Sequence, residues 1–391
     1  VRVLAPVLCA ALLAAAAVSG CGGDGSGRDA GADDAARRDA AASTPGQGAA
    51  PGGAGTGDAS HRRPVVHQAL PGETHLANIR QLTFEGENAE AYFSFDGTQL
   101  IFQSTRGEHG CDQIYMMGVD GSDLRRVSNG LGRTTCAYFL ADDERILYAS
   151  THADAAACPP PPDHSRGYVW PIYASYEIYS ARPDGSDLHA LTNAPGYDAE
   201  ATVGPDGTIV FTSVRDGDLE LYSMAPDGSN VKRLTHEVGY DGGAFFSPDG
   251  TKIVYRAHHP TDPEAIADYQ ALLAQNLIRP GELEVFVMNA DGSDKRQVTD
   301  AGGASFCPFF HPSGEKIIFA SNLHDPEGRD FELYMVGIDG TGLERITHNA
   351  TFDGFPMFSP DGRQLVFCSN RATPAGSRDT HVFVADWIES P

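Results

Sequence analysis

AFFSPDG, at Ala244 to Gly250, runs directly into TKIVYRA at Thr251 to Ala257. An apolar run, a tight Ser-Pro-Asp-Gly turn and a second apolar run read as two antiparallel strands, since the turn glycine accepts positive φ without strain. The phrase recurs as AYFSFDG at Ala91 to Gly97, AYFLADD at Ala137 to Asp143, ATVGPDG at Ala201 to Gly207, PFFHPSG at Pro308 to Gly314 and PMFSPDG at Pro356 to Gly362. A second register runs beside it. Asp120, Asp184, Asp227, Asp291 and Asp339 each precede a glycine, and eight residues beyond them stand Ser128, Thr192, Thr235, Thr299 and Thr347. Segments such as QIYMMGV and ELYSMAP lie between the two turns, and a short RRVS- or KRLT-like strand follows the second.

One repeat is therefore four strands. Copies begin at 91, 137, 201, 244, 308 and 356, so they lie 46, 64, 43, 64 and 48 residues apart, a blade period with two long insertions. A single such unit cannot bury both of its sheet faces, so the units pack around an axis. The sixth copy has no last strand after HVFVADW at His381 to Trp387, whereas IRQLT at Ile79 to Thr83 precedes the first copy as an orphan last strand. Pairing the two closes the ring and leaves no open edge. The expected fold is all-β: a six-bladed β-propeller of four-stranded antiparallel blades, closed by an N-terminal strand, with two insertions on one face.

These alternating Ser-Pro-Asp-Gly and Asp-Gly-Ser turns resemble the TolB-like, WD-repeat-like β-propeller family over residues 79 to 388. The resemblance implies a binding or assembly role in the bacterial envelope, although propellers also host catalysis. Two copies depart from the pattern, with Asp142-Asp143 and Ser313-Gly314 in place of Asp-Gly. Membership of the Tol-Pal system does not follow, because residues 22 to 75 read as disordered where TolB carries an N-terminal domain.

Residues 1–20 offer Arg2, an apolar stretch from Val3 to Val18 and then Val18-Ser19-Gly20-Cys21, which resembles a lipoprotein signal with Cys21 as the lipidated residue. An ordinary secretory signal or a membrane anchor is the alternative. Residues 21–75 are rich in Gly, Ala, Asp, Ser and Pro, and read as a disordered tether ahead of a propeller at 76–391. The expected location is the cell envelope, exported and lipid-anchored on the periplasmic or surface side. A formal charge of −25 disfavours nucleic acid and anionic lipid as partners and favours cations or basic protein surfaces. Contact with the membrane is expected through the anchor alone. Among the remaining cysteines, Cys111, Cys136 and Cys158 cluster, and export favours one bridge among them, with Cys111 to Cys158 preferred. Cys307 and Cys368 read as buried thiols.

The loops leading into each inner strand and those leaving each second strand emerge on one face of a propeller. The first set brings Glu90, Asp198, Glu200, Asp241 and Asp353 to that face, and the second brings Arg106, His152, Arg215, His258, His259, His324 and Arg371. Such a funnel would hold a divalent cation through His and carboxylates, or an acidic ligand on the arginines. Equally, each cation would simply satisfy a carboxylate of its own blade. No cofactor is established by the sequence, and a divalent cation is the candidate.

Both insertions leave second strands and should cover this face. The first, His152 to about Ala174, carries CPPPPDHSRGYVWPIY with Tyr168, Trp170 and Tyr173 as a contact surface. In the second, His258 to Gly281, Asp262 caps a helix with Pro263 in its first turn, an apolar stripe of Ile266, Tyr269, Leu273 and Leu277, and Pro280 as its stop. The chain has no Gly-x-Ser-x-Gly, Gly-rich phosphate loop or His-Glu-x-x-His. The leading reading is a non-enzymatic envelope propeller that binds a protein or peptide on the capped face. The competing one is a metal-dependent propeller enzyme such as a polysaccharide lyase. In it, His152, His258, His259 and His324 would hold the metal, and Arg106, Arg215 or Arg371 an acidic sugar. Convergence of at least three of those side chains separates the two readings.

Overall fold

A computed structural model of the chain describes residues 62–389, apart from 166, 301, 327, 329, 375 and 378. The leader at 1–20, Cys21 and the tether as far as 61 lie outside the described residues. The repeated phrases become six inner strands, Glu87–Phe93, Thr134–Phe139, Asp198–Val203, Tyr240–Phe246, Ser305–Phe310 and Asp353–Phe358. Each pairs antiparallel with a second strand across its Asp-Gly-type turn, and third and fourth strands follow outward to complete six blades. The fold is a six-bladed β-propeller with one helix among the described residues.

The regular Ser or Thr after each second turn is the peg that locks the outer strands. The backbone N–H of Ile114, Ile178, Leu221, Val285 and Leu333 donates to the hydroxyl of Ser128, Thr192, Thr235, Thr299 and Thr347 at 2.8 to 3.0 Å. In blade 6 the same bond runs from Val382 to Thr83 at 2.9 Å, between opposite ends of the chain. Ring closure thus reproduces the bond that every other blade makes internally. The closing strand is Leu76–Gln81, paired antiparallel with His381–Trp387.

The ordered chain also reaches further back than the expected tether boundary at 75. Val65–His67 pairs outside Leu76–Gln81 as a fifth strand of blade 6. Glu73 and His75 are buried, and the His75 ring stacks on Trp387 at 4.8 Å. Composition hid this because strand pairing through the backbone needs few large apolar side chains, and one buried carboxylate leaves no periodic trace.

Every inner strand slips register at the same place, for example between Ala89 and Tyr92 or between Phe306 and Phe309. At each slip one residue is left-handed: Glu90, Cys136, Glu200, Gly243, Cys307 and Phe355, with φ from 50 to 58°. Five of these six are not glycine, so the bulge holds backbone strain at the channel wall.

Candidate functional site

On the face where inner strands begin, the expected funnel residues are placed together but engaged blade by blade. Arg215 Nη2 donates to both carboxylate oxygens of Asp198 at 3.0 and 2.9 Å, and its guanidinium lies over Phe211 and Tyr222 at 5.0 Å. Arg371 Nη2 donates to Asp353 at 2.6 Å and to Glu73 at 3.0 Å, over Phe367. Arg106 Nη2 donates to the Asn88 side-chain oxygen Oδ1 at 2.5 Å, over Tyr115. His259 Nε2 meets Asp241 at 3.0 Å beside Phe286. The repeated Arg or His is therefore a blade clamp, seated on an aromatic ring of its own blade and in four blades tied to that blade's first strand.

The histidines do not converge. His152 Nδ1 is at 2.8 Å from Ser150 Oγ, His258 Nδ1 at 3.2 Å from the Glu282 carbonyl, and His324 at 3.2 Å from Asp330 and 3.0 Å from Tyr334 Oη. Among the described residues, two groups place three metal-capable side chains within 4.8 Å of one another: His324, Asp330 and Glu332, and Glu220, Glu237 and Asp241. Neither contains two of the expected histidines.

Both insertions lie over this face and pair with each other. Trp170–Pro171 from the first forms a two-stranded ladder with Leu277–Ile278 from the second. A disulfide between Cys111 and Cys158 fastens the first insertion to blade 1, with Cα atoms 5.9 Å apart. Cys136, Cys307 and Cys368 are free thiols. In the second insertion Asp262 caps a helix, Pro263–Leu273, by accepting from Glu264 and Ala265 N–H at 2.8 and 3.2 Å. The helix ends before Leu277, which the apolar stripe had included. Asn276 turns left-handed and its carbonyl accepts the Ile172 N–H at 2.7 Å, so tertiary pairing takes the chain out of the helix.

Trp170 covers Arg256, whose guanidinium carbon lies 5.3 Å from the ring centre. Beneath it a chamber of about 20 Å³ is lined by Glu90, Cys136, Glu200, Arg256 and Cys307. Glu90 and Glu200, expected on the rim, instead belong to this deeper tier, two residues inward from Asn88 and Asp198. Arg256 donates to Glu200 at 3.0 Å and to Tyr240 Oη at 2.7 Å, and Tyr240 donates to Glu200 at 2.9 Å. Gly243 admits this arrangement, since a Cβ there would stand 2.9 Å from the Arg256 guanidinium. Burial pushes the Glu90 carboxyl up to about 7, against a hydrogen bond to Cys136 and the Arg256 charge. The chamber is just large enough for one water-sized group.

Below the chamber the channel is closed by rings. Tyr92 and Phe245, which line the chamber, contact Tyr138 and Phe309 with centroids 5.2 to 6.0 Å apart. Tyr138 and Phe309 then line a cavity of about 230 Å³ open on the opposite face, together with Phe95, Phe246, Pro205, Pro248, Pro312 and Pro360. The prolines are those of the repeated turn phrase. The next residue in three of those turns is aspartate: Asp206, Asp249 and Asp361, all exposed. Hydrogen bonds from Ser247 and Thr251 pull the Asp249 carboxyl down to about 2, and equivalent bonds lower Asp96 and Asp361. The well thus has an apolar lining, and ionised, exposed aspartates follow three of its prolines in sequence.

Residues 278–377 match the TolB beta propeller domain family. Among solved structures the chain is similar to a protein assigned as TolB from Agrobacterium tumefaciens, at 20% identity and TM-score 0.51 over 78% of this chain and 91% of that one. It is also similar to TolB from Acinetobacter baumannii, at 18% identity and TM-score 0.52 over 78% of this chain and 65% of that one. The ring is a six-bladed β-propeller similar in fold to these TolB structures. A gluconolactonase from Xanthomonas campestris shares the fold at 13% identity and TM-score 0.52, over 84% of this chain and 96% of that one. At these identities the structural likeness concerns fold alone. No curated protein matches the sequence.

Sequence reasoning about this propeller looked to the insertion face and missed the well, although its own turn phrase supplies the lining. The signal was present as proline and aromatic residues at equivalent positions of successive copies. Gly242-Gly243, a pair found in no other copy of the phrase, was the corresponding signal for the Arg256 chamber.

Proposed function

We propose that this TolB-like propeller is a non-enzymatic binding module of the cell envelope that takes a basic protein or peptide segment at its turn-face well. The observation that carries the reading is an open cavity of about 230 Å³ with an aromatic and proline lining, three of whose prolines are followed in sequence by exposed aspartates. A partner side chain that is aromatic or aliphatic would fill the cavity, and flanking Lys or Arg would meet the turn aspartates. The small capped chamber on the other face and the dispersal of the four histidines weigh against the lyase alternative.

The envelope location and the lipid anchor belong to the same proposal and rest on Val18-Ser19-Gly20-Cys21. No helix among the described residues is long and apolar enough to cross a membrane. Metabolic labelling with palmitate tests the anchor: the wild-type chain should take up label and Cys21→Ser should not. For the binding face, selection from a displayed random-peptide library should enrich peptides pairing an aromatic or aliphatic residue with Lys or Arg. Selected peptides that are acidic, or that still bind Phe309→Asp, would overturn the assignment.

A further inference from the structure

Between blades 3 and 4, on the insertion face, three buried oxygen atoms lack partners. Glu220 opens the third strand of blade 3, Glu220–Met224, and Asp241 lies at the start of the inner strand of blade 4. Tyr255 stands on the neighbouring second strand, Lys252–His258. All three residues are fully buried. Glu220 Oε2, Asp241 Oδ2 and Tyr255 Oη make no hydrogen bond. A buried oxygen without a partner is destabilising, so three such atoms on neighbouring strands of blades 3 and 4 call for a bound group.

The surrounding groups cannot fill the gap. Arg233 is spent on Glu220 Oε1 at 2.6 Å and His259 on Asp241 Oδ1 at 3.0 Å. Thr235 Oγ lies beside both carboxylates, accepts the Leu221 N–H at 2.8 Å, and has one proton to give. Glu237, from the loop joining the two blades, places an oxygen within 4.8 Å of those of Glu220 and Asp241. Its side chain is 44% exposed and pairs with Lys295 at 3.3 Å, so it opens the point to solvent. The charges of Asp241, Glu237 and Glu220 all bear on the Tyr255 phenol.

We propose that Glu220, Glu237, Asp241 and the Tyr255 hydroxyl form a site for a hard divalent cation of the calcium class. The donor set is all oxygen, which suits Ca²⁺ rather than a soft metal. An oxygen spacing of up to 4.8 Å is what opposed ligands at about 2.3–2.6 Å from one ion require. His259, bonded to the far oxygen of Asp241, acts as an outer-shell partner that orients the ligand. The corresponding place between blades 5 and 6 also leaves Glu332 Oε2 and Asp353 Oδ1 without partners and has Arg345 on Glu332 as Arg233 is on Glu220, but there Arg371 brings a fixed positive charge to Asp353 where His259 meets Asp241. The cation would pin blade 3 to blade 4 beneath the second insertion, whose Tyr269 hydroxyl bonds Asp218 and the Gly239 carbonyl. This site is independent of partner binding at the turn-face well.

The test uses the purified chain stripped with chelator, terbium as the probe excited through tyrosine, and calcium as competitor. Sensitised emission should appear, fall on calcium addition, and weaken in Tyr255→Phe. Calcium should raise the melting temperature by about 3 °C or more. Asp241→Asn and Glu220→Gln should abolish both effects, His259→Gln should weaken calcium binding about tenfold, and Glu264→Gln on the exposed helix should change nothing. Because the buried variants risk misfolding, Glu237→Gln at the solvent edge is the deciding variant and should also weaken binding. The proposal is overturned by no calcium-dependent melting shift in the wild-type chain, or by calcium-displaceable emission that persists unchanged in Glu237→Gln.

Discussion

Arg215 shows what a single side chain does in this ring. Its charge is split between aromatic faces of its own blade and the Asp198 carboxylate, whose side chain is 1% exposed. Arg215→Ala leaves that carboxylate buried and unpaired, and should destabilise the protein by about 3–5 kcal/mol in denaturant titration. Asp198→Asn, which keeps an acceptor, should cost less. A result with the two reversed would mean that Arg215 acts through packing rather than charge. At Gly243 the constraint is space and backbone together, since φ is 58° and a Cβ would press on Arg256. Gly243→Ala should therefore lower stability by about 1–2 kcal/mol and unseat Arg256 from Trp170. Quenching and emission wavelength of Trp170 would report the second effect. These roles were partly legible beforehand: the recurrence of Arg or His at one blade position was plain, and so was the option that each clamps its own blade. Which option holds depends on rotamers and ring stacking, which leave no periodic mark.

At the scale of elements, the repeat register exposed most of the architecture. Two turns per blade located the strand boundaries, and the threonine eight residues beyond the second turn marked the outer-strand peg. What stayed hidden came from contacts between segments far apart in sequence: the ladder joining the two insertions, the early end of the helix at Leu273, and strand Val65–His67. Two consequences can be measured. Reducing the Cys111 to Cys158 bridge frees the first insertion from blade 1, so proteolysis should begin within 153–169 while the ring stays folded; cleavage starting elsewhere would place the bridge outside this role. Thr83→Val removes the peg that joins the two ends of the chain and should lower the melting temperature more than Thr299→Val, because closing the ring brings together residues 299 positions apart. Equal effects would show that closure is no weaker than any other blade seam.

For the molecule as a whole, buried acids and turn acids set opposite limits on stability. Burial raises Glu90 and Glu220 to about 7 and Glu332 to about 8, from an ordinary 4.5. The folded state therefore holds more protons than the unfolded chain between about pH 4.5 and 8. Their contribution is complete below pH 4.5 and is lost as pH rises through 7 to 8. Turn aspartates such as Asp249, lowered from 3.8 to about 2, contribute above pH 3.8 and lose that contribution as pH falls toward 2. Maximum stability should then lie near about pH 4–5, with a melting temperature that declines toward pH 8.5. Glu90→Gln should flatten part of that decline, and a curve that rises from pH 5 to 8 would contradict the burial account. The same turn aspartates give the turn face its charge, which ties stability to the proposed binding role. That role is tested most directly by fluorescence anisotropy of one selected apolar-basic peptide against wild type, Phe309→Asp on the well and Trp170→Ala on the cap. Binding lost with Phe309→Asp, weakened by salt and unchanged with Trp170→Ala is the predicted result; binding that survives Phe309→Asp and disappears with Trp170→Ala would place the partner on the insertion face and contradict the account.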